Sequence, residues 1–247
     1  MTGRVESLWR HPIKSHGREA VASVELAAGR TMPWDRTWAV AHESSAATGK
    51  NWSPCAAFSR VAKAPSLMAI EAKLDEATET VSLAHPDRPP LSFAPDGDAG
   101  AFLDWVRPLM PEGRAASARI VRVPGRGMTD SDFPSVTLCN HASHRAVEDR
   151  IGRNLSIHRW RGNIWIDGLA PWEEFGWIDS RVRIGGATLL VRERTERCLA
   201  TAANPDTGRR DADTLAALEH WGSRDFCVRA EVIESGDVAP GDDVVPI

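Results

Sequence analysis

Short runs of alternating apolar and polar residues mark most of this sequence. They occur between turn-forming residues, in segments that include residues 4–14, 36–43, 66–86, 187–194 and 227–233. Side chains that alternate in twos point to opposite faces of an extended chain, so these segments predict β-strands. Helical patterns occur only singly between them, without an internal repeat or the βαβ alternation of a parallel sheet. The sequence therefore predicts an α+β, β-rich fold with two barrel-like lobes and a few inserted helices.

Two helices and one boundary stand out within this pattern. Residues 98–110 place their apolar side chains in one stripe, which predicts a helix. A second helix is predicted over residues 141–151, with Asn140 as its N-cap and Gly152 as its C-cap. A turn-rich segment begins at residue 124, and we predict domains over 1–124 and 125–247.

The charge balance limits the partners that the chain can have. Its 247 residues include 30 basic and 34 acidic side chains, for a net charge of −4. Nucleic acids and anionic membranes attract basic surfaces, so neither is an expected partner. No run approaches the roughly 18 apolar residues of a membrane helix, and no signal peptide is apparent, which predicts a soluble, cytoplasmic protein. An anion must therefore be bound locally, mostly by arginine, because only four of the basic residues are lysines.

The four cysteines show no paired spacing. Cys55, Cys139, Cys198 and Cys227 form no CxxC motif, so the sequence supports neither a disulfide framework nor a four-thiolate zinc site, and reduced thiols are expected. Cys198 differs from the others because it follows an arginine-rich run and precedes a turn. Guanidinium groups nearby favour the thiolate, which is a nucleophile and a soft metal ligand. The alternative is that Cys198 is an ordinary half-buried cysteine with no chemical role.

Three other groups of residues could carry chemistry but also have ordinary explanations. They are the zinc-like set Cys139, His141 and His144, the acidic loop residues Asp206, Asp211 and Asp213, and the candidate proton-transfer pair Asp130 and Asp132. The first lacks a fourth ligand, and the second misses the spacing of a calcium loop. Acidic residues in a glycine-rich loop usually bind their own backbone, which is the alternative for the third.

Six separated segments carry a resemblance to a known family. They are RCLATAANPDTG (197–208), RWRGNIWIDG (159–168), RIGGATLLV (183–191), GDVAPGDDVV (236–245), HPIKS (11–15) and WDRTWAV (34–40). The first four resemble the MOSC domain, named after the C-terminal domain of molybdenum cofactor sulfurase. The last two resemble the N-terminal β-barrel domain that precedes it in the amidoxime-reducing component branch and its bacterial relatives. The order is that of the family and spans nearly the whole chain.

The resemblance implies a molybdenum cofactor, molybdopterin with molybdenum, at the junction of the two domains. Cys198 is then both the metal ligand and the catalytic residue, since a thiolate suits a soft metal that already carries dithiolene sulfurs. Matching of the motifs gives the residues expected to contact the cofactor: Lys14, Ser15, Arg36, Asp132, Phe133, Arg161, Asn163 and Arg197. The match is looser for Asp132 and Phe133, and Arg36 has the alternative of pairing with Asp35 or with a carboxylate across the barrel.

Two functions are consistent with this resemblance. The first is an oxidoreductase that reduces small oxidised substrates, typically N-hydroxylated compounds, with electrons from a separate flavin or iron-sulfur/haem protein. The second is a carrier that passes the cofactor, or a persulfide on Cys198, to another enzyme. Neither an iron-sulfur segment after Ile247 nor an N-terminal PLP-dependent desulfurase domain is expected. Residues 46–60 depart from the Gln-Arg-rich stretch expected there, which leaves the substrate-facing rim on that side undetermined.

Overall fold

A closed barrel of seven strands forms the larger part of the fold. The computed structural model describes residues 2–247. Its strands are β1 Gly3–Arg10, β2 Glu19–Val21, β3 Val24–Leu26, β4 Trp38–His42, β5 Glu71–Asp75, β6 Thr80–His85, β7 Arg88–Phe93, β8 Ser117–Arg122, β9 Val136–Asn140, β10 Ile164–Asp167, β11 Arg181–Ile184, β12 Ala187–Glu196, β13 Asp225–Glu234, β14 Gly236–Val238 and β15 Asp243–Pro246. The barrel order is β10-β9-β13-β12-β11-β15-β1, and pairing of β10 with β1 closes it.

The helices are short and lie between strands. The α-helices are α1 Gly100–Val106, α2 His141–Ile151 and α3 Thr214–Glu219. The 3-10 helices are Cys55–Ala57, Pro65–Ala69, Arg107–Leu109, Ile157–Trp160, Glu173–Trp177 and Leu199–Ala202. Within residues 2–247, no helix combines the length and apolar character needed to cross a membrane. The predicted β-rich fold with singly inserted helices is confirmed.

The barrel core follows from the alternation in the sequence. In β1, Val5 and Leu8 are buried, whereas Arg4 and Glu6 are exposed, and a bulge between Val5 and Ser7 keeps both apolar side chains inside. The two ten-residue strands β12 and β13 pair antiparallel and contribute further buried aliphatic residues. Strands β1 and β2 belong to the first part of the sequence but pair with the sheet of the second part. The N-terminal strand therefore ties the two halves together.

The first lobe, which contains β4 to β8 and α1, packs around its own apolar core. Strands β4 and β8 form one small sheet, and β5, β6 and β7 form another. Helix α1 buries Phe102, Trp105 and Val106 against them, and Phe102 stacks on Phe93 with ring centroids 4.9 Å apart. This stripe was predicted from the sequence, although the α-helix ends at Val106 and a 3-10 turn continues to Leu109.

One connection differs from the prediction that βαβ units are absent. Strand β9 continues into α2, and the chain returns as β10, which pairs parallel with β9. The caps of α2 are as predicted. The side chain of Asn140 accepts a hydrogen bond from the amide of Ala142, and Gly152 adopts the left-handed conformation at φ 79°. The irregular stretch between α2 and β10 hides the crossover from a search for periodicity.

The expectation of reduced thiols is wrong for two of the four cysteines. Cys139 on β9 and Cys227 on β13 form a disulfide, with their Cα atoms 4.5 Å apart. The two strands are antiparallel neighbours, and Leu138 pairs with Val228, so the cysteines face each other. The bond also removes Cys139 from any zinc set with His141 and His144. Their separation of 88 residues conceals the pairing in the sequence.

Candidate functional site

A cavity of about 490 Å³ opens between the two lobes. Both halves of the chain line it, because β12, the loop before β9 and the turn before β10 meet the loops of the first lobe there. Six of the predicted site residues reach this cavity, namely Lys14, Ser15, Arg36, Arg161, Arg197 and Cys198. Residues separated by more than 180 positions in the sequence therefore share one site.

Cys198 sits where β12 ends and the 3-10 helix Leu199–Ala202 begins. Its carbonyl oxygen accepts hydrogen bonds from the amide and the hydroxyl of Thr201, at 3.2 and 3.1 Å, which fix the backbone at this point. The residue itself is exposed, and its thiol is free. The fold thus holds the main chain of Cys198 rigidly and leaves the sulfur accessible from the cavity.

The side chain of Arg197, the residue before Cys198, is held by carbonyl oxygens. Its Nε donates to Phe226 O at 2.9 Å and its Nη1 to Trp160 O at 2.8 Å, while its buried Nη2 has no partner among the described residues. Burial and the nearby charge of Arg229 lower the pKa of Arg197 to about 9. A buried donor without a hydrogen-bond partner costs free energy, so a ligand that accepts a hydrogen bond from Nη2 would stabilise this guanidinium.

Arg161 has the same character. It follows the 3-10 helix Ile157–Trp160 in a left-handed conformation, and its Nη2 donates to Gly17 O at 3.2 Å. Burial and the charge of Arg36 lower its pKa to about 9. Two arginines that are desolvated and repelled by other cations provide an electrostatic environment that favours an anion.

Backbone strain accompanies these cationic residues. Ser15, Arg36 and Arg161 all have positive φ, at 65°, 53° and 50°. Residues other than glycine rarely adopt a positive φ. Such residues cluster at ligand sites, where the surrounding structure holds them in place. The next residue, Gly162, lies against the disulfide, and a β-carbon there would clash with the sulfur of Cys139. The disulfide therefore supports the turn that presents Arg161.

Lys14 and Arg36 are anchored by carboxylates. The Lys14 ammonium pairs with Asp130 and donates to Met128 O at 2.6 Å, which connects the two lobes. Burial opposes ionisation of Asp130, but Lys14 outweighs it and lowers the pKa of the carboxyl to about 2. Arg36 pairs with buried Asp35, as the alternative from the sequence anticipated, and also donates to Arg161 O at 2.8 Å. Arg36 thus both lines the cavity and fixes the Arg161 turn.

Three predicted residues lie elsewhere. Asn163 is buried outside the cavity lining, where its Oδ1 accepts from Thr137 N at 3.0 Å and its Nδ2 donates to Trp9 O at 3.1 Å. Asp132 is exposed, and its carbonyl accepts from Arg126. Phe133 packs its ring under the Arg192 guanidinium. A direct role of these residues in cofactor binding stays a prediction, whereas Asn163 visibly holds the Arg161 loop to β1 and β9.

Other cavity residues were not predicted as binding residues. Thr195 contributes a buried hydroxyl with no partner among residues 2–247, and Arg159 is bound to Asp211 at 2.5 Å. Cys55 and Arg60 come from the first lobe, and the Arg60 Nη1 donates to the Cys55 sulfur at 3.2 Å. The sequence suggested Asp130 as a proton-transfer partner of Asp132, but the structure pairs it with Lys14. No local spacing in the sequence signals the remaining residues.

The fold is a closed barrel with a second lobe, and the cavity between them holds a free thiol and clustered arginines. The sequence matches the MOSC domain over residues 128–245 and the MOSC N-terminal beta barrel domain over residues 2–102. The chain belongs to the MOSC family and carries that family's N-terminal barrel domain, which confirms the resemblance seen in the motifs.

Solved structures of MOSC-family proteins show distant similarity. YuaD from Bacillus subtilis is 13% identical, with 99% of this chain and 94% of that chain covered and a TM-score of 0.47. YiiM from Geobacillus stearothermophilus is 19% identical and YiiM from Escherichia coli is 14% identical. Each of these two matches covers 45% of this chain and 53% of YiiM, with a TM-score of 0.35. No curated protein sequence matches the chain.

Proposed function

We propose that this protein binds a molybdenum cofactor in the cavity between its lobes and reduces small N-hydroxylated substrates. The observation that carries the proposal is the convergence of Lys14, Ser15, Arg36, Arg161, Arg197 and Cys198 on one cavity. MOSC-family membership supports the same cofactor class. A separate flavin, iron-sulfur or haem protein would supply the electrons.

The residues of the cavity fit this cofactor chemically. The pterin carries a phosphate, and the unpartnered Nη2 of Arg197 and hydroxyl of Thr195 are donors that such a group would satisfy. Arg161 adds a positive charge that no carboxylate neutralises through an ion pair in the described structure. Cys198 supplies a soft thiolate ligand for the metal. Cationic donors and a thiol in one cavity are the two kinds of group that this ligand requires.

The chain's own residues would set the charge and the access of the site. When bound, the cofactor supplies the two-electron redox chemistry. In the net reaction the N–O bond of R–NHOH breaks, two electrons and two protons enter, and R–NH2 and water leave. Asp130 stays ionised at neutral pH because its pKa is about 2, so it balances Lys14 and is not the source of these protons. The cavity opens to solvent, so water can deliver them.

The proposal is tested with protein produced in a host that makes the cofactor. We expect near-stoichiometric molybdenum by elemental analysis and oxidation of a reduced viologen dye only when an N-hydroxylated compound is added. The corresponding amine should accumulate in equal amount. Molybdenum-loaded protein that turns over none of a panel of amidoximes and hydroxylamines would refute the reductase function.

The exposed position of Cys198 favours one second candidate, a carrier function. Leu199 beside it is 49% exposed, so a partner protein could reach the thiol directly. A carrier would transfer its cofactor, or a sulfur atom from Cys198, to an acceptor enzyme without reducing a substrate. Activation of a cofactor-free acceptor enzyme without dye oxidation would favour this function.

Replacing Arg161 by methionine is expected to weaken cofactor binding about tenfold to a hundredfold and therefore to lower the molybdenum content. The magnitude follows from losing one charge-assisted interaction with an anion. The cofactor-free protein should keep its melting temperature or gain stability, because the lowered pKa means that the Arg161 charge destabilises the folded state at pH values below about 9. Arg183→Met, at an exposed position on β11, is the matched control. Unchanged molybdenum content in Arg161→Met would contradict the assignment.

A further inference from the structure

The cavity carries more positive charge than its carboxylates neutralise. Nine basic and two acidic side chains line it, although the whole chain has a net charge of −4. Five of the basic residues have carboxylate partners, namely Lys14, Arg36, Arg159, Arg224 and Arg229. Four lack an ion pair among the described residues, namely Arg60, Lys63, Arg161 and Arg197. Arg161 and Arg197 belong to the proposed cofactor set, which leaves Arg60 and Lys63 without an assigned ligand.

Arg60 and Lys63 lie on a single turn of the first lobe. The carbonyl of Arg60 accepts hydrogen bonds from the amides of Lys63 and Ala64, at 2.9 and 3.0 Å, so the turn is well defined. All four residues 60–63 line the cavity. Arg60 is half-buried, and its one side-chain hydrogen bond within residues 2–247 goes to the sulfur of Cys55. That contact orients the guanidinium without neutralising its charge.

We propose that Arg60 and Lys63 form a substrate subsite for a carboxylate, so that the preferred substrates are N-hydroxylated compounds with an acidic group. This inference rests on the proposed reductase function. A guanidinium offers a planar fork that matches a carboxylate, and an ammonium adds a mobile charge. Both residues belong to the first lobe and lie outside the residues assigned to the cofactor.

The neighbouring side chains indicate the remainder of the substrate. Val61 on the same turn, Leu199 and Leu215 also line the cavity and provide apolar surface. An apolar or aromatic body would pack against these residues while its carboxylate meets Arg60 and Lys63. The subsite therefore selects a small amphipathic acid over a neutral compound of the same shape.

The test compares benzamidoxime with its para-carboxylate on cofactor-loaded protein. Binding is measured by titration calorimetry without reductant, and turnover is measured separately with the reduced dye. We expect about tenfold tighter binding of the carboxylate. Arg60→Gln should remove most of that preference, and Lys63→Gln should reduce it about threefold because the lysine is more exposed. Arg60→Lys should retain part of the preference, and added salt should weaken it.

Matched controls and the two readouts separate the outcomes. Arg183→Gln and Lys73→Gln remove one exposed charge each outside the cavity and should change nothing. Selective binding of the carboxylate that Arg60→Gln abolishes supports the subsite even without turnover, and in that case only the reductase function fails. Equal affinity for the two compounds, or an equal loss of affinity for both in Arg60→Gln, overturns the subsite. Turnover of either compound would then leave the reductase function standing.

Discussion

Replacing Cys198 by serine is expected to reduce dye-linked turnover at least about a thousandfold, the scale seen when an essential catalytic group is removed. An alcohol is a hard donor that is barely ionised at neutral pH, so it does not replace a thiolate as a ligand for a soft metal. The fold should remain intact, because Cys198 is exposed and its backbone is held by Thr201. We therefore expect a melting temperature within about 2 °C of the wild type.

The second free thiol of the cavity provides the matched control. Cys55 is half-buried and lines the same cavity, but it lies on the short 3-10 helix Cys55–Ala57 of the first lobe. Cys55→Ser should keep molybdenum-dependent turnover. If Cys198→Ser retains full turnover, or if Cys55→Ser alone abolishes it, the assignment of the metal ligand is wrong.

Removing the disulfide is expected to cost the fold about 4 kcal/mol of unfolding free energy. The bond closes a loop of 88 residues, and the entropy lost by the unfolded chain grows with the length of such a loop. For a chain of this size, the double variant Cys139→Ala, Cys227→Ala should melt about 10 °C lower. Loss of the bond should also weaken the site, because the adjacent Phe226 carbonyl holds Arg197.

Thiol labelling checks this prediction independently. In unfolded protein that has not been reduced, alkylation should modify only Cys55 and Cys198. Reductant should lower the melting temperature of the wild type but not that of the double variant. Four alkylated cysteines together with equal stability in both proteins would show that the two sulfurs are not bonded.

The sequence predicted the parts of the site that lie in continuous motifs. Lys14 and Ser15 share one short segment, and Cys198 follows Arg197 directly, so local resemblance was enough to find them. Local resemblance did not show in which direction each side chain points. Asn163 stands two residues after Arg161 in the same motif, yet its side chain turns into the protein and binds Thr137 and Trp9.

The features that the sequence concealed depend on long-range pairing. Alternation identified strand β13, but nothing in that strand shows that β9 lies beside it, so the disulfide between them was missed. The same reason hid the Lys14–Asp130 ion pair, which joins residues 116 positions apart. Arg60 and Lys63 carry no motif at all. Their significance appears only when the carboxylate partners of the whole cavity are compared.

X-ray absorption at the molybdenum edge tests the central claim, that Cys198 binds the metal of a cofactor held in this cavity. Wild-type protein and Cys198→Ser are compared after production in the same cofactor-competent host, with molybdenum content measured in each sample. We predict one sulfur ligand fewer per molybdenum in Cys198→Ser than in the wild type. An identical number of sulfur ligands in the two proteins, or wild-type protein without molybdenum, would contradict it.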